Sequence, residues 1–174
     1  MKWVRGFSLM ELMAALSIVA ILSVLSISSL RYFWRPAQAE IFISQLIRAI
    51  HLTRSEAILR REKVILCGSS DQQNCSDHWQ DGYIVKTAER VVYHFKNTSG
   101  KGILHWRSFP AHRPRLEFLS TGWPHAQNGT FWFCPADTAA PAWAVVVNKG
   151  GRTRIVKPDR QGNVRDGKGK LFVC

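Results

Sequence analysis

Residues 1–30, MKWVRGFSLMELMAALSIVAILSVLSISSL, set a short basic leader against a long apolar run containing a single acid, Glu11. Phe7 to Leu30 is almost unbroken apolar sequence, about 36 Å long as a helix against roughly 30 Å for a bilayer core. The pattern predicts a helix whose first half, 7–30, spans a membrane. Lys2 and Arg5 precede it, which keeps the leader cytoplasmic and exports the remainder, while Arg31 and Arg35 on the far side pull against that orientation. A carboxylate near the end of such a span costs a few kcal/mol unless it is paired or hydrated, so Glu11 is a functional candidate. A secretory signal cut at Ala37-Gln38-Ala39 also fits a small-residue rule, but the apolar run is too long for an h-region and Arg31 and Arg35 interrupt it. A plain single-span anchor leaves the coincidence of basic leader, Gly6-Phe7 and Glu11 unexplained.

Past the span, 31–62 continues as an amphipathic helix. The stretch AEIFISQLIRAIHLTRSEAILRR, ending at Arg61, keeps Ile43, Ile47, Ile50, Ala57 and Ile58 near helical spacing. Pro36 near the join predicts a kink or a weakened turn. Short β-rich runs then follow between turn residues, at 64–67, 83–86, 91–95, 103–107, 116–119, 130–134, 143–148 and 152–156. One long helix and then antiparallel strands predict an α+β layout, with a globular β-rich domain over 63–174 and the helix stripe buried on one sheet face. Hydrophobic content of 46% with seven Trp suffices for one packed core. Most of Trp79, Trp106, Trp132 and Trp143 are expected in that core, and Trp123, in the turn STGWPH, is expected to be exposed.

Cys67, Cys75, Cys134 and Cys174 fall beyond the span, in an oxidising compartment on this topology, so disulfides are the first reading. Three connectivities exist. Cys67 with Cys75 is favoured because it closes the short loop CGSSDQQNC, and Cys134 with Cys174 because it ties the last residue to an interior strand. Zinc is the lesser alternative: no C-x-x-C spacing occurs and the six histidines are scattered, so neither metal nor cofactor is expected.

Without Lys2 and Arg5 the chain keeps 22 basic against 12 acidic side chains, a formal +10. The segment KGGRTRIVKPDRQGNVRDGKGK, 149–170, holds eight basic residues against Asp159 and Asp166, so +6 of that excess lies in 22 residues. Polyanions are the partner class such a concentration suggests. Its glycines predict a mobile backbone. On a strand, Arg152 and Arg154 would project two guanidinium forks from one face, able to straddle a phosphate backbone, with Lys149, Lys157 and Arg160 widening the strip. The alternative is a hairpin of solvated arginines, or arginines paired with acids of neighbouring subunits. SFPAHRPR adds Arg107, His112, Arg113 and Arg115 as a second basic cluster. No phosphate-cradling glycine loop, HExxH motif or nucleophile elbow occurs, and the reading is non-catalytic.

The leader, the Gly6-Phe7 junction and Glu11 resemble the class III signal of type IV prepilins and type II secretion pseudopilins. The resemblance implies cleavage after Gly6 by the prepilin peptidase (leader 1–6), methylation of the Phe7 amine, and pairing of Glu11 with the N-terminal amine of a neighbouring pilin. Farther on, TRSEAILRREKVILC, the short cysteine loop with WQDGYIV, FLSTGWPHAQNGTFWFC and VVVNKGGRTRI resemble, in that order, the FimT/GspH family of minor pilins and pseudopilins. It implies the type IV pilin fold, and an inner-membrane, single-pass protein with its domain in the periplasm before it enters a pilus at the cell surface. Gly151, Arg152 and Arg154 match the GRxR motif of FimT-type pilins that bind DNA in natural transformation. Two functions follow as expectations: a minor pilin that binds double-stranded DNA without sequence preference, or a purely structural minor pilin or pseudopilin that primes filament assembly.

Overall fold

Ser8 caps the long helix α1 (Leu9–Arg60), and the cap uses Glu11. The Ser8 hydroxyl accepts from Met10 N at 3.3 Å, and a Glu11 carboxylate oxygen accepts from Ser8 N at 3.3 Å. This reciprocal Ser-x-x-Glu box satisfies backbone donors that the first turn leaves free. The computed structural model describes residues 8–97, 102–109, 113–136 and 138–174, with the side chains of 24–38 outside that description. Gly6, Phe7 and His112 therefore lie outside the described residues. Helical backbone continues through Pro36, so the proline does not end α1.

Two compact units divide the chain, the first ending at Phe42 and the second running from Ile43 to Cys174. In the first, Leu9, Met10, Leu12, Met13, Leu16 and Ile21 are each more than half exposed. Among the described residues no helix is long and apolar enough to cross a membrane.

In the second unit the helix buries Ile43, Leu46, Ala49, Ile50, Thr53 and Ala57. The stripe is rotated from the expected one: Leu46 and Thr53 join it, whereas Ile47 is half-buried and Ile58 is 48% exposed. Thr53 can be buried because its hydroxyl donates to Ala49 O at 2.6 Å.

Among the described residues eight strands follow: β1 (Val64–Gly68), β2 (Gly82–Lys86), β3 (Val91–Lys96), β4 (Gly102–Phe109), β5 (Arg115–Phe118), β6 (Asn128–Pro135), β7 (Trp143–Val147) and β8 (Thr153–Val156). They form two four-stranded antiparallel sheets, ordered β3-β2-β1-β5 and β4-β6-β7-β8, where one sheet face was expected. Between β4 and β5 the sequence has Pro110 and Pro114, which lack the backbone donors a continued ladder needs. β4 pairs instead with β6, and β5 with β1.

Trp79 and Trp106 close the seam. The Trp79 ring meets Phe131 of β6 edge-on at 5.1 Å and donates its indole N–H to Pro114 O at 3.0 Å. Trp106 of β4 lies 4.2 Å from Phe131 and donates to Arg113 O at 2.9 Å. Trp143 is buried as expected. Trp132 is not in the core: it faces the opposite side of its sheet, stacked on His105 at 5.0 Å.

Both disulfides favoured on the sequence are present, Cys67–Cys75 and Cys134–Cys174. Asp71 organises the small loop by accepting from Asn74 N at 2.8 Å and Gln73 N at 2.9 Å, bonds that hold its carboxyl far below the ordinary carboxylate range.

Tyr83 sits fully buried in β2, and its hydroxyl has no hydrogen-bond partner among the described residues. Burial pushes its phenol well above the usual value. Replacing Tyr83 with Phe removes a desolvated group without losing a bond, so thermal melting should show equal or higher stability, by up to about 1 kcal/mol. A clear loss would mean that the hydroxyl has a partner, such as buried water.

Candidate nucleic-acid interface

Asn148 and Gly151 build the turn that carries the GRxR sequence. The Asn148 side-chain oxygen accepts from Gly150 N and Arg152 N, both at 2.9 Å. Asn148 N donates to Arg152 O at 3.0 Å, and Gly151 N donates to Asn148 O at 2.9 Å. Gly151 has φ +74°, and a Cβ there would lie 2.8 Å from Phe118 Cε1. The glycine of the motif is thus fixed by a three-residue hairpin loop with a left-handed closing residue.

The same turn recurs twice in the segment expected to be mobile. Asp159 accepts from Gln161 N at 2.9 Å and Asn163 N at 3.0 Å, with Gly162 at φ +78°. Asp166 accepts from Lys168 N and Lys170 N at 2.9 Å, with Gly169 at φ +81°. Each turn reads Asx-x-x-Gly-x, and each presents cations: Lys149 and Arg152, then Arg160, then Lys168 and Lys170. Backbone hydrogen bonds to the two aspartates hold both carboxyls below their ordinary range.

The tail is also packed. Val164 and Phe172 are buried with Ala144, against Trp132 and Val156. The Arg107 guanidinium lies 5.8 Å from the Trp132 ring and 5.5 Å from that of Phe172, and pairs with Asp166 at 3.8 Å. Trp132 donates its indole N–H to Val173 O at 3.2 Å, next to the Cys134–Cys174 bridge. Partial burial lowers the pKa of the His105 imidazole, which favours the uncharged ring that stacks on Trp132.

Arg154 lies in the edge strand β8 and Arg152 immediately precedes it, a two-residue spacing that on extended backbone sets both side chains toward one face. Register sets Arg154 opposite Val146 of β7, Val146 opposite Thr130 of β6, and Thr130 opposite Arg107 of β4. Among the described residues the side chains of Lys149, Arg152, Arg154 and Arg160 have no carboxylate partner, and all four are exposed. Arg165 is committed to Asp159 at 3.4 Å. Lys157, also exposed, follows β8. His51 of α1, absent from the sequence expectations, comes within 3.4 Å of the Thr153 hydroxyl, which alternation along the strand sets on the opposite face from Arg154.

The second basic cluster is not one surface. Arg107 belongs to the tail, whereas Arg113 and Arg115 serve Glu117, a residue no motif signalled. Its buried carboxylate receives Arg115 at 2.8 Å, His125 at 3.0 Å and Lys63 at 3.8 Å, while Arg113 approaches His125 at 3.3 Å. Burial alone would raise this carboxyl; the His125 hydrogen bond and the charges of Lys63 and Arg115 outweigh it and hold the group below the usual range. A depressed carboxylate stabilises the fold fully above its unfolded pKa, and that contribution is lost as pH falls through the folded value. Glu117→Gln should therefore flatten the acid limb of a stability–pH curve and cost about 1–3 kcal/mol near neutrality. The half-exposed partners keep the cost below that of a fully buried pair. An unchanged acid limb would remove Glu117 from this role.

The family described as type II transport protein GspH matches residues 43–151, more than half of the 174-residue chain. The chain belongs to the GspH family. A match to the prokaryotic N-terminal methylation motif covers residues 4–27. As a GspH-family member with that motif, it is a minor pilin or pseudopilin of the type IV pilus and type II secretion kind, processed by the prepilin peptidase and assembled with other pilins. No curated protein sequence matches it. Its fold is that of the Pseudomonas aeruginosa type IV minor pilin FimU, with TM-score 0.51 at 14% identity over 74% of this chain and 88% of FimU. Escherichia coli GspH gives TM-score 0.48 at 14% identity over 76% and 93% of the two chains. The minor pseudopilin EpsH of the Vibrio cholerae type 2 secretion system gives 0.46 at 16% over 68% and 96%. The GspH match ends at Gly151, so Arg152, Arg154 and the two later turns lie beyond it.

Proposed function

We propose that this GspH-family chain is a minor pilin of the type IV pilus that binds extracellular double-stranded DNA without sequence preference, for uptake in natural transformation. The observation that carries this reading is the exposed pair Arg152 and Arg154, two residues apart where the Asn148 turn enters the edge strand β8 and without carboxylate partners among the described residues. Lys149, Lys157 and Arg160 flank them. Guanidinium forks hold phosphate oxygens but read no bases, which accounts for binding without sequence preference. A single subunit should bind with Kd of roughly 10⁻⁴ to 10⁻⁶ M and strong salt dependence, and many copies on one filament would add avidity. The membrane-spanning segment 7–30, cleavage between Gly6 and Phe7, and pairing of Glu11 with a neighbouring subunit's amine belong to the same proposal. Before assembly the chain is a single-pass inner-membrane protein with its domain in the periplasm; afterwards it is at the cell surface. Fluorescence anisotropy of a labelled duplex with the full chain in detergent, across a salt series, tests it. Saturable, salt-sensitive binding is expected, and none at low salt would refute it.

The purely structural reading, a minor pilin or pseudopilin that primes assembly, draws on the exposed apolar side chains of Leu9 to Leu22. It needs Glu11 and that helix but not β8. Arg152 and Arg154 variants that lose piliation or secretion rather than DNA uptake would favour it.

A further inference from the structure

Trp123 stands at the tip of a tight hairpin. Leu119 N donates to Trp123 O at 2.9 Å, Gly122 N to Leu119 O at 2.8 Å and His125 N to Glu117 O at 2.8 Å. Trp123 is 58% exposed, and among the described residues its indole has no ring, cation or hydrogen-bond partner. Trp132 differs, since its ring is engaged by His105 and Phe172. Lone exposed apolar residues are ordinary; the position of this one is informative.

The hairpin is seated against the turn that carries the arginines. A Cβ at Gly151 would lie 2.8 Å from Phe118, 3.4 Å from Pro124 and 3.5 Å from Gly122 O. A Cβ at Gly150 would lie 4.0 Å from Trp123 Cζ3, so the indole edge borders the glycine turn. Two backbone turns therefore hold an exposed indole against Gly150, in the turn whose flanking residues are the cations Lys149 and Arg152. An aromatic face next to phosphate-binding cations is the arrangement that holds unpaired bases, because every base can stack whatever its identity. Bases inside a closed duplex stack on one another and offer no free face.

We propose that Trp123 is a stacking platform for an unpaired base, and that the site takes single-stranded DNA, including frayed ends, more tightly than closed duplex. This rests on the reading that Arg152 and Arg154 hold the DNA backbone. The arginines supply binding common to both forms, and Trp123 supplies the difference between them.

The test compares oligothymidylate with a blunt duplex of equal phosphate number, using the full chain in detergent at fixed salt. Wild type should bind the single strand about tenfold more tightly, with quenching of tryptophan fluorescence. Trp123→Ala should bring the two affinities together by weakening the single strand alone, and Trp123→Phe should retain most of the preference while confirming an intact fold. An unchanged preference in Trp123→Ala, or no preference in wild type, overturns the role of Trp123 while the arginine reading stands. Failure of wild type to bind either nucleic acid overturns both.

Discussion

Replacing Arg152 and Arg154 together with Gln is expected to lower duplex affinity by about tenfold or more and to flatten the salt dependence. Each phosphate neutralised on B-DNA contributes about 0.9 to the slope of log K against log salt, so losing two contacts should reduce the slope by about 1.8. The slope decides more than the affinity does. A damaged fold weakens binding at every salt concentration, whereas loss of two ionic contacts reduces its steepness by a set amount. Both side chains are exposed and without carboxylate partners among the described residues, and Arg154 faces the half-buried Val146. Stability should therefore change by no more than about 0.5 kcal/mol. An unchanged slope would show that the phosphates are held elsewhere, with Lys168 and Lys170 of the third turn as the next candidates.

Much of this surface is legible in the sequence, and what is not has identifiable causes. Every expected strand occurs within a few residues of its place, since alternation and turn residues are local signals. Cys67–Cys75 follows from its short loop. The split into two sheets is not local: it depends on β4 choosing β6 across the hairpin that holds Trp123. Ile47 and Ile58 fit a helical stripe as well as Leu46 does, and only tertiary packing selects the face. Reading the tail glycines as mobility overlooks the Asx three residues before Gly151, Gly162 and Gly169, which converts each into a fixed turn. Ser8-x-x-Glu11 was likewise a visible capping box. Its use for the cap is compatible with a second use in assembly, because a carboxylate accepts more than one hydrogen bond. Glu117 gave no signal, because its meaning depends on Lys63, distant in sequence, and on His125, which only the turn after β5 brings back to it.

Removing the Cys134–Cys174 disulfide with a double Ser substitution should destabilise the chain by about 4 kcal/mol, the larger of the two disulfide effects. Chain entropy sets the ranking: the sequence separation is 40 here and 8 for Cys67–Cys75, for which about 2.5 kcal/mol is expected. Denaturant titration of both double mutants measures the two values, and equal losses would show that local packing rather than loop entropy dominates. The consequence for binding separates the tail from the arginines. Without the bridge the tail is still held by Phe172 and Val164 in their small core and by Arg107 with Asp166. β8 is held independently by β7, and its turn by Asn148. Duplex affinity of the folded Cys134→Ser/Cys174→Ser protein should therefore stay close to wild type while its stability falls. If affinity falls as steeply as stability, the binding surface requires the tail in its docked position, and Arg160, Lys168 and Lys170 carry more of the contact than Arg152 and Arg154.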